Sequence, residues 1–325
     1  MTLEYVAPKD PLLVTEAAVD RDGIYITSAY AGGFAVSQRA IRMHGGRAGI
    51  ITDMNPDFEA QTISDVLLTI DKGDKSKTLW GVRRHRLVSP TTMRVRVVDK
   101  TRPGSPSSFM GEHAFYDEIA SGEALYEDCS CLNIPAQALQ IRLTGNRNDP
   151  KWKNPRRIIV RNFVGEEVGQ ARGAGRAAFA ISIKDAGPEG EVEIFNPQLE
   201  TVQQRAVAKR SDGTIADSFA GLCVEYCKTL KVSGGYINFK NPKMHAVQLY
   251  DFGNKAAGRT GPEEIDFQGV TLGSGNHITV RLDDTTRKVN IEGCSGDGEI
   301  VVYKRAADGT YRPNIRRPIT QGYRF

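Results

Sequence analysis

Three stretches of this 325-residue chain carry the spacing of phosphate chemistry. GNKAAGRT at 253–260 follows the alternating segment HAVQLYDF and matches G-x-x-x-x-G-[basic]-T. A phosphate loop needs Lys at the basic position and a helix opening directly after the Thr, so that backbone N–H groups converge on the anion. Here Arg259 replaces Lys and Gly261-Pro262 opens a turn, so a polar loop between strands is expected. Asp251-Phe252-Gly253 has the letters of a kinase magnesium site but lacks the glycine loop, strand lysine and catalytic-loop Asp. GAGRAA at 173–178 approximates the dinucleotide fingerprint. That motif must open a helix, whereas AAFAISIKDAG reads as a strand with Pro188 beyond it, so a connection between two halves is expected.

Thiols and imidazoles offer little more. Cys129-Ser-Cys131 and Cys223/Cys227 have ligand-like spacing, but no histidine adjoins either pair, and buried cysteine behaves as a small hydrophobe. With Cys294 the count is five, and reduced thiols are the expectation. His44, His85, His113, His245 and His277 are scattered outside any H-E-x-x-H or G-x-S-x-G context. Asp283-Asp284 and Glu263-Glu264 sit at turns, the first pair being a calcium candidate in a partner-assisted loop. The sequence therefore assigns no catalytic residue, no metal site and no cofactor, and points away from an enzyme.

Basic residues cluster in three places. Arg83, Arg84, His85 and Arg86 form one group. Arg142, Arg147, Lys151, Lys153, Arg156, Arg157 and Arg161 form a second, with Trp152 placed to stack among them. The end of the chain holds Arg312, Arg316, Arg317 and Arg324, with no acid after Asp308. Such clusters neutralise phosphates or make salt bridges between subunits. We take Arg147, Lys151, Trp152, Lys153, Arg156, Arg157, Arg312, Arg316, Arg317 and Arg324 as candidate contacts to a genome, a membrane or a neighbouring subunit. The net charge of +4 is too mild for the whole surface to bind nucleic acid.

The elements that must position these residues are mostly strands. TTMRVRVVD (91–99) and ALQIRLT (138–144) alternate with period two, and TISDVLLTI (62–70), RIIVRNFVG (157–165) and EVEIFNP (191–197) also read as strands. ITVRLDDTTRKVNIEGCSGDGEIVVYKR (278–305) reads as a three-stranded antiparallel meander. HAFYDEIASGEALYED (113–128) and IADSFAGLCVEYCKTL (215–230) are expected to be helices, the second with Phe219, Leu222, Cys223, Tyr226, Cys227 and Leu230 on one face. Pro313 and Pro318 exclude a central strand at the end of the chain. The start, MTLEYVAPKD, does not read as a signal peptide, and no run approaches the roughly 18 apolar residues of a membrane span. No repeat is legible in the residues themselves.

The expected fold is mainly β: two antiparallel β-sandwich or jelly-roll barrels with one or two short helices. The divisions are an N-terminal arm at 1–22, a first barrel at 23–170, a second at 171–311 and a C-terminal arm at 312–325. Two β-rich halves, each holding a helix, with irregular arms at both ends, resemble the double jelly-roll major capsid proteins of tailless bacteriophages. The resemblance implies a structural virion protein that self-assembles as trimeric capsomers in the host cytoplasm. Its partners would be itself, neighbouring capsomers, other virion proteins, and an internal membrane or genome reached through the basic arms. The other reading is a carbohydrate- or receptor-binding β-sandwich such as a phage tail or spike module, with Tyr236, Phe239, Tyr250 and Phe252 as candidate exposed aromatics.

Overall fold

The computed structural model describes residues 24–26, 32–43, 48–52, 57–59, 61–70, 78–100, 110–143, 156–169, 178–202, 219–240, 245–249, 262–282, 286–307 and 311–325. They are mainly β, as the alternation predicts. The pairing is parallel almost throughout, and each strand joins the one about three elements further on. The chain therefore winds as a parallel β-helix, a solenoid with three strand faces per coil.

The first face stacks β1 (Ile24–Ile26), β3 (Ala48–Thr52), β6 (Thr78–Val88), the front of β8 (Met110–Glu127), β10 (Gln137–Leu143), β13 (Ala178–Asp185), β16 (Phe219–Tyr226), β19 (His245–Leu249), β22 (His277–Leu282) and β24 (Glu299–Arg305). Short β4 (Phe58–Glu59) joins the end of β6. The second face holds the fronts of β2 (Phe34–Met43), β5 (Gln61–Ile70) and β7 (Thr91–Asp99) and the rear of β8. It continues through β11 (Arg156–Arg161), β14 (Glu191–Phe195), β17 (Thr229–Ser233), β20 (Glu264–Gln268) and β23 (Lys288–Glu292). The third face takes the rears of β2, β5 and β7, then β9 (Ser130–Leu132), β12 (Val164–Val168), β15 (Gln198–Thr201), β18 (Tyr236–Phe239) and β21 (Thr271–Leu272).

Parallel in-register stacking lines up like residues. On the second face Tyr126, Val160, Ile194, Val232, Phe267 and Ile291 form one inward column. On the first, Phe115, Leu139, Ile181, Leu222, Val247, Ile278 and Ile300 form another. These columns make one continuous core whose burial is the main stabilising term.

The second and third faces meet at a corner that recurs in every coil. Gln38, Asp65, Arg94, Asp128, Asn162, Asn196, Gly234, Gly269 and Gly293 all sit there with φ between 48° and 64°. One left-handed residue turns the strand without breaking the ladder. The Asn162 N–H donates to Phe195 O at 2.9 Å, the Asn196 N–H to Ser233 O at 2.8 Å and the Gly234 N–H to Gln268 O at 2.9 Å. Asn, Asp and Gly suit this backbone because their side chains are short or absent. The side chains add a second ladder: Asn162 Nδ2 donates to Asp128 Oδ1 at 2.9 Å, and Asn196 Nδ2 to Asn162 Oδ1 at 3.1 Å.

Several expectations are corrected here. The strands are not antiparallel jelly-roll strands; period-two alternation is the same in both kinds of sheet, and the short connections lead to the next face instead of back to a hairpin partner. The 278–305 meander is two strands of the first face, β22 and β24, paired parallel, with β23 on the second face. The 113–128 helix is strand β8, which bends at Gly122 (φ 78°); the bend shifts the inward phase from Phe115 and Ile119 to Ala124 and Tyr126, imitating helical spacing. Within the 215–230 segment, residues 219–226 are strand β16; Leu222, Cys223 and Val224 are all buried, so both strand faces are covered and the alternation of apolar with exposed polar residues vanishes. Ladders β10–β13 and β12–β15 run across position 170.

The C-terminal arm is also an element of the fold. β25 (Tyr311–Pro318) pairs antiparallel with β24, and after a 3-10 turn at Ile319–Gln321, β26 (Tyr323–Arg324) pairs antiparallel with β23. Ile319 and Tyr323 close the end of the core. Pro313 and Pro318 lie on this outermost strand, as the missing N–H donors require. The N-terminal arm at 1–22 lies outside the described residues.

The corner makes a direct prediction. Asn162→Gly should lower stability by only a few tenths of a kcal/mol, whereas Asn162→Val, which cannot sit comfortably at φ 50°, should cost about 1–2 kcal/mol or more. Urea unfolding of the two variants measures the difference.

Candidate functional site

The outer surface of the third face is where polar and aromatic groups meet in a concavity. Register places Ser130, Val164, Gln198, Tyr236 and Thr271 in one outward row across five coils. Beside it, Leu132 faces Glu166, and Glu200 faces Asn238. Between Gly165↔Leu199 and Val168↔Thr201 the register slips, so Glu166 and Glu167 together oppose Glu200. This is a bulge, with Glu167 in the left-handed region at φ 51°. It gathers three carboxylates on two neighbouring strands. Lys240 Nζ reaches Glu200 Oε1 at 2.6 Å. The result is a groove of about 380 Å³ lined by Leu132, Val164, Glu166, Gln198, Glu200 and Tyr236, among others. Tyr236 is 36% exposed, and among the described residues only Leu67 and Phe325 are large hydrophobics as open as this.

The aromatics expected to lie on a sheet surface divide accordingly. Tyr236 is on the groove, Phe239 is in the core, and Tyr250 and Phe252 lie outside the described residues. The three groove carboxylates escape sequence reasoning because Glu166-Glu167 looks like any polar turn. The bulge that aims them appears only when register is known.

Most basic candidates are engaged within the fold. Arg147, Lys151, Trp152 and Lys153 lie outside the described residues, as do GNKAAGRT, Asp251-Phe252-Gly253, Gly173–Arg176 of GAGRAA and Asp283-Asp284. Arg156 is buried and its Nε donates to Ile119 O at 3.2 Å. Arg157 bridges Glu123 and Glu193 at 2.9 Å each, and Arg161 meets Glu127 at 3.4 Å. At the cap, Arg316 pairs with Glu299 at 3.1 Å, Arg324 with Glu292 at 3.0 Å, and Arg317 lies over the Tyr323 ring at 5.4 Å. Arg312 is exposed on β25.

The Arg83–Arg86 cluster is consumed inside and outside the same strand. Outward, Arg83 stacks on Trp80 at 3.9 Å, and its Nε donates to His85 Nε2 at 2.9 Å. His85 Nδ1 lies 3.0 Å from Glu118 Oε2, and Tyr116 OH donates to Glu118 Oε1 at 3.0 Å. Burial raises the pKa of Glu118, but the His85 Nδ1–H and the Tyr116 hydroxyl that face its two oxygens outweigh this and hold the carboxyl below its usual range. Arg86 meets Asp57 at 2.7 Å.

Inward, Arg84 occupies a column that holds aliphatic residues in later coils. Asp117 is its register partner, followed by Ile141, Ile183 and Val224. Arg84 donates to both Asp117 oxygens at 2.9 and 2.6 Å and to Thr92 Oγ1 at 2.7 Å, and Tyr126 OH donates to Asp117 Oδ2 at 2.6 Å. Burial works against the Arg84 charge, and the Asp117 carboxylate more than offsets it, so the guanidinium stays protonated. Burial, then the same carboxylate, pushes the Tyr126 phenol well above its ordinary value.

All five cysteines are buried free thiols. Burial raises the Cys129 pKa to about 12 and drives Cys131 and Cys227 higher still. Among the described residues no three His, Cys, Asp or Glu side chains gather as a metal ion would require. Comparison with family models, curated proteins and solved structures finds no match to this chain.

Two outcomes follow. Asp117→Ala, which strands a buried guanidinium, should cost about 3–5 kcal/mol in urea unfolding, and Arg84→Met with Asp117→Leu should recover most of it. The native protein should give almost no reaction with Ellman's reagent at neutral pH, and the full thiol complement should appear only in denaturant.

Proposed function

We propose that the chain is a carbohydrate-binding β-helix, a receptor-recognition module of the kind a viral tail or spike presents. The observation that carries this reading is the third-face groove, with the open Tyr236 ring set among Gln198, Glu200, Glu166 and Glu167. A sugar offers an apolar C–H face to an aromatic ring and a rim of hydroxyls to carboxylates and amides. Coils rise by about 4.8 Å, so side chains in one outward row repeat along an extended ligand.

Binding without turnover suits the site. The groove is an open surface concavity, and Glu200 is tied to Lys240. The coat-protein expectation drew its argument from paired jelly rolls, an architecture the strand pairing does not have. The role in a virion and the self-association expected with it stay within the proposal, carried now by a rod and not by barrels.

A glycan array probed with the full chain tests the reading. Tyr236→Ala should weaken the best ligand about tenfold or more with the circular dichroism spectrum unchanged. Glu200→Gln should change which glycans are preferred, and no reducing ends should accumulate on prolonged incubation. Absence of binding to any glycan would sink the reading.

A further inference from the structure

The two ends of the sequence carry opposite charge. Residues 299–325 hold six basic side chains against Glu299 and Asp308, a net +4 that equals the charge of the whole chain. Residues 1–23 hold Glu4, Asp10, Glu16, Asp20 and Asp22 against Lys9 and Arg21, a net −3. The fold separates β1 from the C-terminal cap by the full stack of the first face, ten ladder steps and about 50 Å at the usual strand spacing.

The cap also has a receiving shape. A hollow of about 320 Å³ is walled by Arg317, Thr320, Gln321, Gly322 and Arg324, with Ile291 and Tyr323 beneath. Arg324 is held to Glu292 at 3.0 Å and to Asn290 Oδ1 at 3.1 Å, and both Arg324 and Glu292 are more than half exposed. Exposed pairs of this kind are worth little and exchange partners readily. Arginine and tyrosine around a concavity are what protein interfaces favour. Glu292 and Glu299 beside the arginines interrupt the unopposed run of cations that a phosphate backbone needs.

We infer that the C-terminal cap is a docking surface for the acidic residues 1–23 of a second copy, so that chains associate head to tail. The contact is heterologous and extends the rod instead of closing a dimer. Carboxylates of the incoming segment take the place of Glu292 and Glu299 on Arg324 and Arg316, and the hollow takes an apolar side chain from the same segment.

Sedimentation velocity on the full chain tests this. At about 50 mM salt the sedimentation coefficient should rise with protein concentration, and at about 500 mM it should return to the monomer value. Arg316→Glu with Arg324→Glu should be monomeric, as should Asp20→Lys with Asp22→Lys, each checked for native circular dichroism. Mixing the two variants should restore association, because each then supplies the end that the other's altered end attracts. A chain that is monomeric at all concentrations in low salt overturns the inference. So does association that neither variant alters, failure of the mixture to assemble, or a wild-type cap that takes single-stranded DNA while the chain itself stays monodisperse.

Discussion

Everything in this molecule hangs on one backbone conformation repeated at one corner. A left-handed residue between the second and third faces turns the strand while its N–H still reaches the next coil. With that corner in place, each strand enters the next face in the same phase, and the columns of inward side chains line up. Were the corner to slip by one residue, every side chain on the following face would exchange core for solvent. The groove depends on the same constraint, since Gln198 and Tyr236 share a row only because Asn196 and Gly234 turn in register.

Regularity makes the exceptions informative. Where later coils carry Ile141, Ile183 and Val224, the N-terminal coils carry Arg84 and Asp117, with Tyr126 and Thr92 closing the network. An apolar column tolerates neighbours of many shapes, whereas a bidentate ion pair accepts only one alignment. The pair therefore fixes how β6 and β8 meet in a stretch where their register slips repeatedly. A buried pair of this kind adds little net stability over well-packed apolar side chains in the same places.

Alternation along TTMRVRVVD or ALQIRLT identified strands without ambiguity, and the prolines near the C-terminus correctly excluded a central strand. What period two does not encode is the partner. Ile194 pairs with residues 34 and 38 positions away, and nothing in EVEIF says whether those neighbours run parallel. The signal that does encode it is sparse: Asp128, Asn162 and Asn196 recur at 34-residue spacing, each ahead of a short strand. Gly replaces them later, Gln38 and Arg94 precede them, and connections of unequal length hide the period. The groove was half legible. Tyr236 stands out as an aromatic in a strand, but Glu166 and Glu167 gain meaning only from a bulge that register reveals.

The reversed strand at the C-terminus has a consequence of a different kind. A stack of in-register parallel strands is the geometry of an amyloid protofilament, and its last rung would recruit further strands without limit. β25 and β26 end the stack by running the other way, and Pro313 and Pro318 withhold two donors from the outermost rung. The molecule is in this sense a fibril terminated by its own sequence. With fewer donors on that rung, side-chain contacts beyond the cap, which salt dissolves, gain weight over a backbone ladder, which little dissolves.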